Sequence, residues 1–161
     1  MANKPRWLTK AESYIGLKEI TGPHHNPQIL KFWEEIKLGG INDDETPWCA
    51  AFVGGVLEES DIRSSRSGMA KSYMNWGTEL KKPTIGCVVV FTRKGGGHVG
   101  FVEGVDKNGN LYVLGGNQSD TVSVKLFKTD NVVSYRWPTG EPMVNELPVL
   151  SSAANFETKV V

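Results

Sequence analysis

The hydrophobic period of the chain changes once, near Ile85, and this change constrains the fold more than any other feature. Before Ile85, apolar residues recur at the three- and four-residue spacing of amphipathic helices, within about 5–17, 26–39 and 46–59. After it, short β-branched segments alternate with Gly-rich or Asp/Asn-Gly turns, and Asp106–Asn110 is typical of a hairpin connection. Helices followed by antiparallel strands predict an α+β domain rather than a parallel βαβ array.

Turn-forming and capping residues predict the limits of these elements. Asn26 and Thr46 are N-cap residues, each followed by a proline suited to the first helical position. The second helix is expected to stop at Gly39-Gly40, and the third to run to about Glu59. Strands are predicted at 85–91, 99–105, 111–114, 122–124 and 132–137. We expect one domain over residues 1–138 and a C-terminal tail over 139–161 that drapes over it.

Composition and charge exclude several classes of protein. Eighteen Lys and Arg balance eighteen Asp and Glu, so no excess positive field is available to bind nucleic acid. The longest apolar run, Ile85 to Phe91, is far too short to span a membrane, and the N-terminus lacks the apolar stretch of a secretory signal. Two cysteines do not make a disulfide scaffold. We therefore expect a monomer made in the cytoplasm without a signal peptide.

Cys49 is the first candidate for chemistry. With Thr46 at the N-cap and Pro47 at the first position, Cys49 becomes the third residue of its helix, where unpaired N–H groups favour negative charge. This position predicts a lowered thiol pKa and hence a nucleophile. The alternative is a buried cysteine, because Cys49 also lies on an apolar stripe of the same helix.

A nucleophilic thiol needs a base, and His98 is the best placed histidine. Glycines flank it on both sides at the entrance of a strand, which permits another segment to approach closely. The next strand returns antiparallel to it and ends near Asn117, which we predict to orient the imidazole, with Gln118 and Asp120 as weaker substitutes.

Other polar residues fit less well into such a site. His24 and His25 lie in a Pro-rich turn and are expected to be solvated, while Cys87 opens an apolar strand and is expected in the core. A zinc site from the cysteines and histidines lacks the usual paired spacing, and Asp43, Asp44 and Glu45 lack that of a calcium loop. We therefore expect no metal and no cofactor.

Three motifs in this order resemble one family. The segments Asp44–Val53, Gly97–Val102 and Gly115–Gln118 are similar to those of papain-like cell-wall hydrolases, in particular the CHAP group of cysteine, histidine-dependent amidohydrolases/peptidases and the related NlpC-type peptidases. The likeness runs from about Pro5 to Pro138, so the domain of residues 1–138 is interpreted as catalytic. The implied fold has N-terminal helices packed on a C-terminal antiparallel sheet.

The resemblance also implies an activity. Cys49 would be the nucleophile, His98 the general base and Asn117 the polar third member, with Trp48 and Gln118 as candidate substrate-binding residues. The substrate would be an amide bond of peptidoglycan, cut by an endopeptidase or an N-acetylmuramoyl-L-alanine amidase. The chain resembles a phage endolysin, a virion-associated lysin or an exported antibacterial effector, acting on the wall after release or export. The alternatives are an acyltransferase that uses the same cysteine and histidine, and a non-catalytic wall-binding or phage tail module.

Overall fold

The computed structural model describes residues 4–20, 26–37, 48–93 and 96–152. The described segments contain three α-helices, α1 (Arg6–Glu12), α2 (Pro27–Glu35) and α3 (Cys49–Glu59), and 3₁₀ helices at Ala70–Asn75 and Thr129–Asn131. They also contain six strands, β1 (Thr78–Leu80), β2 (Val88–Arg93), β3 (Gly96–Val105), β4 (Leu111–Gly115), β5 (Ser123–Phe127) and β6 (Val132–Trp137). The predicted α+β class is confirmed.

The strands form one antiparallel sheet in the order β1-β6-β2-β3-β4-β5. Five of them match predicted strands, whereas the three-residue β1, which pairs with β6, was not predicted. The predicted hairpin between β3 and β4 is confirmed, because the Asp106 carboxylate accepts the N–H groups of Asn108 and Asn110 at 2.8 and 2.9 Å. Pairing between β3 and β4 begins at Phe101 and Leu114, beyond the stretch of β3 that carries His98.

The helix starts agree with the prediction at α2 and differ at α3. Asn26 caps α2 by accepting the N–H of Gln28 at 2.9 Å, with Pro27 as first helical residue. At α3, Trp48 is the N-cap and Cys49 the first residue, so the predicted third position of Cys49 is wrong. The predicted capping pair of residues 46–47 and the predicted stop at 39–40 lie outside the described residues. The first helix ends at Glu12, earlier than predicted.

The core lies between the helices and the sheet, and α3 is its central element. Every residue of α3 from Cys49 to Leu57 is buried. Phe52 packs edge-to-face on Phe32 of α2 at 5.5 Å and on Phe101 of β3 at 6.3 Å, so one ring joins three elements. This packing holds the start of α3 against β3.

The described part of the predicted C-terminal tail lies against the domain. Val149 forms a parallel bridge with Val105 at the end of β3, and Thr84 Oγ1 donates to the carbonyls of Val144 and Glu146. Within the described ranges, no helix has both the length and the apolar character needed to cross a bilayer.

Candidate active site

Cys49 lies at the start of α3 with 6% of its surface exposed. Burial raises the pKa of the thiol, and this effect outweighs the opposing hydrogen bonds from the backbone at Val99, Ala50 and Cys49 itself and the positive charge of Arg93. The predicted lowering of this pKa is therefore wrong in direction. The first-turn amides do favour the thiolate as expected, but desolvation dominates.

The same contacts place the thiol next to the strand that carries His98. Val99, whose backbone hydrogen-bonds toward Cys49, directly follows His98 in β3. Arg93, at the end of β2, acts on both groups: its charge favours the Cys49 thiolate, and its Nη2 lies 3.5 Å from His98 Nδ1. The start of α3 and the entrance of β3 thus share one charged neighbour.

Gln118 fixes which nitrogen of His98 carries the proton. Its amide nitrogen donates to the carbonyl oxygens of Ser123 at 2.8 Å and Val113 at 3.2 Å, so its oxygen must face the other way. That oxygen lies 2.8 Å from His98 Nε2. Because the oxygen can only accept, Nε2 carries the hydrogen and Nδ1 carries the lone pair that can accept a proton. The neutral imidazole is therefore held with its basic atom toward Arg93.

His98 is 3% exposed and its pKa is lowered to about 4. Burial is the largest cause, the hydrogen bond to Gln118 opposes it, and the charge of Arg93 lowers the pKa further. At neutral pH the imidazole is therefore uncharged and able to accept a proton.

The imidazole contact predicted for Asn117 is made by Gln118. Asn117 is half-buried in a left-handed backbone conformation (φ +59°), and no hydrogen bond joins it to another described residue. Ser119 and Asp120 are also left-handed, and both side chains are exposed. This tight loop turns the chain back on itself, so that the longer side chain of Gln118 reaches His98.

Two glycines at the end of β4 make this arrangement possible. A Cβ on Gly115 would lie 2.5 Å from Gln118 Oε1 and 3.3 Å from His98 Nε2. A Cβ on Gly116 would lie 2.6 Å from Phe52 and 2.7 Å from Trp48, and these glycines therefore let β4 approach both His98 and α3.

The two predicted substrate-binding residues are not accessible to a ligand. Trp48 is fully buried, and its indole N–H donates to Glu19 Oε1 at 3.1 Å. Gln118 is 5% exposed and uses its amide within the protein. Cys87 is fully buried, as predicted, and burial raises its pKa to about 12.

A cavity of about 210 Å³ next to His98 was not predicted from the sequence. Phe91 and Phe127 line it together with the imidazole, and Arg93, Lys128, Thr92 and Asn131 complete its wall. No local signal could have found it, because its residues come from β2, β3, β5 and the 3₁₀ helix that follows β5.

The structure describes only some of the metal-ligand candidates considered in the sequence analysis. Residues 24–25 and 43–45 lie outside the described part of the chain. Among the residues that are described, no group of three or more His, Cys, Asp or Glu side chains is arranged to hold a metal ion.

Comparison with known families agrees with this geometry. The CHAP domain model matches residues 41–117, a stretch that contains Cys49 and His98 and stops one residue before Gln118. The comparison with curated proteins gives no match. CHAP domains are generally cysteine/histidine-dependent amidases or peptidases, and the match suggests a peptidoglycan hydrolase of this type. Over residues 41–117, this chain is therefore similar to the CHAP domain family.

Proposed function

We propose that this protein hydrolyses an amide bond of peptidoglycan through Cys49 and His98, with Gln118 orienting the imidazole. The observation that carries the proposal is the fixed tautomer: the hydrogen bond from Nε2 to Gln118 at 2.8 Å leaves Nδ1 as the acceptor, in the strand against which the Cys49 thiol lies. A nucleophile, a base and an orienting group are the minimum set for acyl transfer to sulfur.

The proton must move as the new bond forms. Burial favours the neutral forms of both groups, so His98 Nδ1 takes the proton of the Cys49 thiol while sulfur attacks the amide carbonyl. The carbonyl oxygen becomes an oxyanion, and the backbone N–H of Cys49 at the start of α3 is one donor that stabilises it. The C–N bond then breaks as the imidazolium returns its proton to the leaving amine.

Hydrolysis of the thioester repeats these steps with water. His98 Nδ1 takes a proton from water, the hydroxyl oxygen bonds to the acyl carbon, and the C–S bond breaks. Sulfur recovers the proton from the imidazolium, so the free enzyme is regenerated with a neutral thiol and a neutral imidazole. The products are an amine and a carboxylic acid.

Release of fragments from purified peptidoglycan tests the nucleophile. Wild type should release soluble fragments and lower the turbidity of the suspension, and Cys49→Ala should do neither. Cys87→Ala is the matched control, since Cys87 is fully buried in the core directly before β2. Mass spectrometry of the fragments identifies the cleaved bond as an amidase or an endopeptidase product. Equal release by wild type and Cys49→Ala would remove Cys49 from the mechanism.

His98→Ala tests the base independently. It should lose most of the turnover while its circular dichroism spectrum stays that of wild type. A folded and fully active His98→Ala would move the search for the base to His24 or His25. The bacteriolytic role of a phage lysin rests on the resemblance alone, and lysis of intact target cells by added protein tests it.

A further inference from the structure

Aromatic rings form one wall of the cavity beside His98. Phe127 stacks on the His98 ring with centroids 5.6 Å apart and planes 24° apart, and it packs on Phe91 at 5.0 Å. The three rings form a continuous wall, so the imidazole is held in place and one of its faces is closed. A ligand in this cavity of about 210 Å³ therefore lies directly next to the catalytic base.

Two cationic side chains line the cavity. Arg93 and Lys128 both line it, and neither forms an ion pair with a carboxylate in the part of the chain that is described. Asp130, the nearest acid in sequence to Lys128, is exposed and does not line the cavity. Asn131 adds an amide to the same wall. This combination of charges favours an anionic ligand.

From this arrangement we propose that the cavity binds a free carboxylate of the substrate through Arg93 and Lys128, so that the enzyme acts on peptides with a carboxylate close to the scissile amide. The inference rests on the proposed function and assigns its substrate class. The planar guanidinium of Arg93 offers two parallel N–H donors, which match a carboxylate better than any neutral group. Peptides of the wall polymer carry such carboxylates on their side chains and termini.

Binding of a carboxylate would also release the base. In the free protein, Arg93 Nη2 lies 3.5 Å from His98 Nδ1, the atom that must take the proton of the thiol. A carboxylate that pairs with Arg93 draws the guanidinium away from Nδ1, which is then open to accept that proton. Recognition and proton transfer are thereby coupled at one residue.

Two matched substrates test the proposal: wall peptides that contain the same scissile amide and carry either free carboxylates or carboxamides. Wild type should cleave the carboxylate form with a kcat/KM about 10- to 100-fold higher, the range of a charge-assisted hydrogen-bonded pair. Arg93→Gln should abolish this preference, so that both forms are cleaved with a similar kcat/KM, and Lys128→Gln should reduce it. Lys107→Gln, which removes an exposed cation at the tip of the β3–β4 hairpin, away from this cavity, should keep it.

Two results would overturn the proposal. If wild type cleaves both forms equally, no carboxylate is recognised; if Arg93→Gln slows both forms equally, Arg93 acts on the Cys49 thiolate and not on the substrate.

Calorimetric titration of the same two peptides into Cys49→Ala separates the inference from the proposed function. Tighter binding of the carboxylate form that depends on Arg93 supports the cavity even if wild type cleaves neither peptide, an outcome that would defeat only the hydrolase assignment. Equal binding of both forms would overturn the inference. It would not affect the proposed hydrolase activity, which the release of peptidoglycan fragments tests separately.

Discussion

Replacement of Gln118 by methionine should distinguish the orienting residue from its neighbour. Gln118→Met keeps the length and volume of the side chain but removes the hydrogen bond to His98 and the two bonds to the carbonyls of Val113 and Ser123. The buried Nε2–H of His98 then lacks an acceptor, which costs about 1–3 kcal/mol. The imidazole can avoid this cost by moving its proton to Nδ1, and it then no longer accepts the proton of the thiol.

The expected loss follows from that cost. Since each 1.4 kcal/mol corresponds to about one factor of ten in rate, kcat/KM for fragment release should fall about 10- to 100-fold. The two carbonyls that lose their donor should lower the free energy of unfolding by about 1–3 kcal/mol. Rates are therefore compared well below the melting temperature of the variant, which circular dichroism gives.

Asn117→Gly is the matched control, because glycine keeps the left-handed backbone at this position without strain. It should retain kcat/KM within about twofold, since the Asn117 side chain holds no described hydrogen bond. The reverse pattern, an active Gln118→Met and an inactive Asn117→Gly, would refute the assignment and restore Asn117 as the third member.

Three further perturbations address the thiol, the base and the close approach of β4. Iodoacetamide should alkylate Cys49 faster than the fully buried Cys87, and it should alkylate Cys49 only slowly at about pH 6, because burial raises the pKa of both thiols. Equal alkylation rates of the two cysteines, measured by mass spectrometry, would contradict this. His98 must be uncharged to accept a proton, and its pKa is lowered to about 4, so kcat/KM should stay constant below neutral pH and fall only near pH 4. A decline centred on pH 6.5 would show that the imidazole is more hydrated than its burial indicates. Gly115→Ala should lower kcat/KM about tenfold or more with an unchanged circular dichroism spectrum, because its Cβ would lie 2.5 Å from Gln118 Oε1; wild-type activity would mean that this contact is not needed.

The fold was predictable where the signal is local. Asn26 and Pro27 start α2 because the cap and the fixed proline dihedral act within one turn, and β6 is recognisable from its β-branched and aromatic residues. Strand β1 has three largely exposed residues and forms because it pairs with the edge of β6. A local sequence pattern does not contain that information. The start of α3 was misplaced by two residues for the same reason: a good cap sequence does not fix where tertiary packing starts the helix.

The sequence indicated that Cys49 and His98 lie close together, but it did not indicate which residues surround them. A cysteine at a helix start and a histidine between glycines are local patterns, and the structure places the helix start beside the strand that carries the histidine. The choice of Gln118 over Asn117 depends on three left-handed residues within the four positions 117–120, which together decide which side chain turns inward. The cations Arg93 and Lys128 come from separate elements and meet only in the folded chain.

The sign of the Cys49 pKa shift has a consequence for how the site works. A resting thiolate–imidazolium pair requires a base with a higher pKa than the thiol, whereas here burial moves the thiol up and the imidazole down to about 4. A neutral amide as third member fits this state, because a carboxylate at the position of Gln118 would favour the imidazolium. The free protein therefore holds a neutral, weakly reactive pair. Substrate binding must therefore promote proton transfer from the thiol to the imidazole. A bound carboxylate would do so by drawing the Arg93 guanidinium away from Nδ1, the atom that accepts the proton.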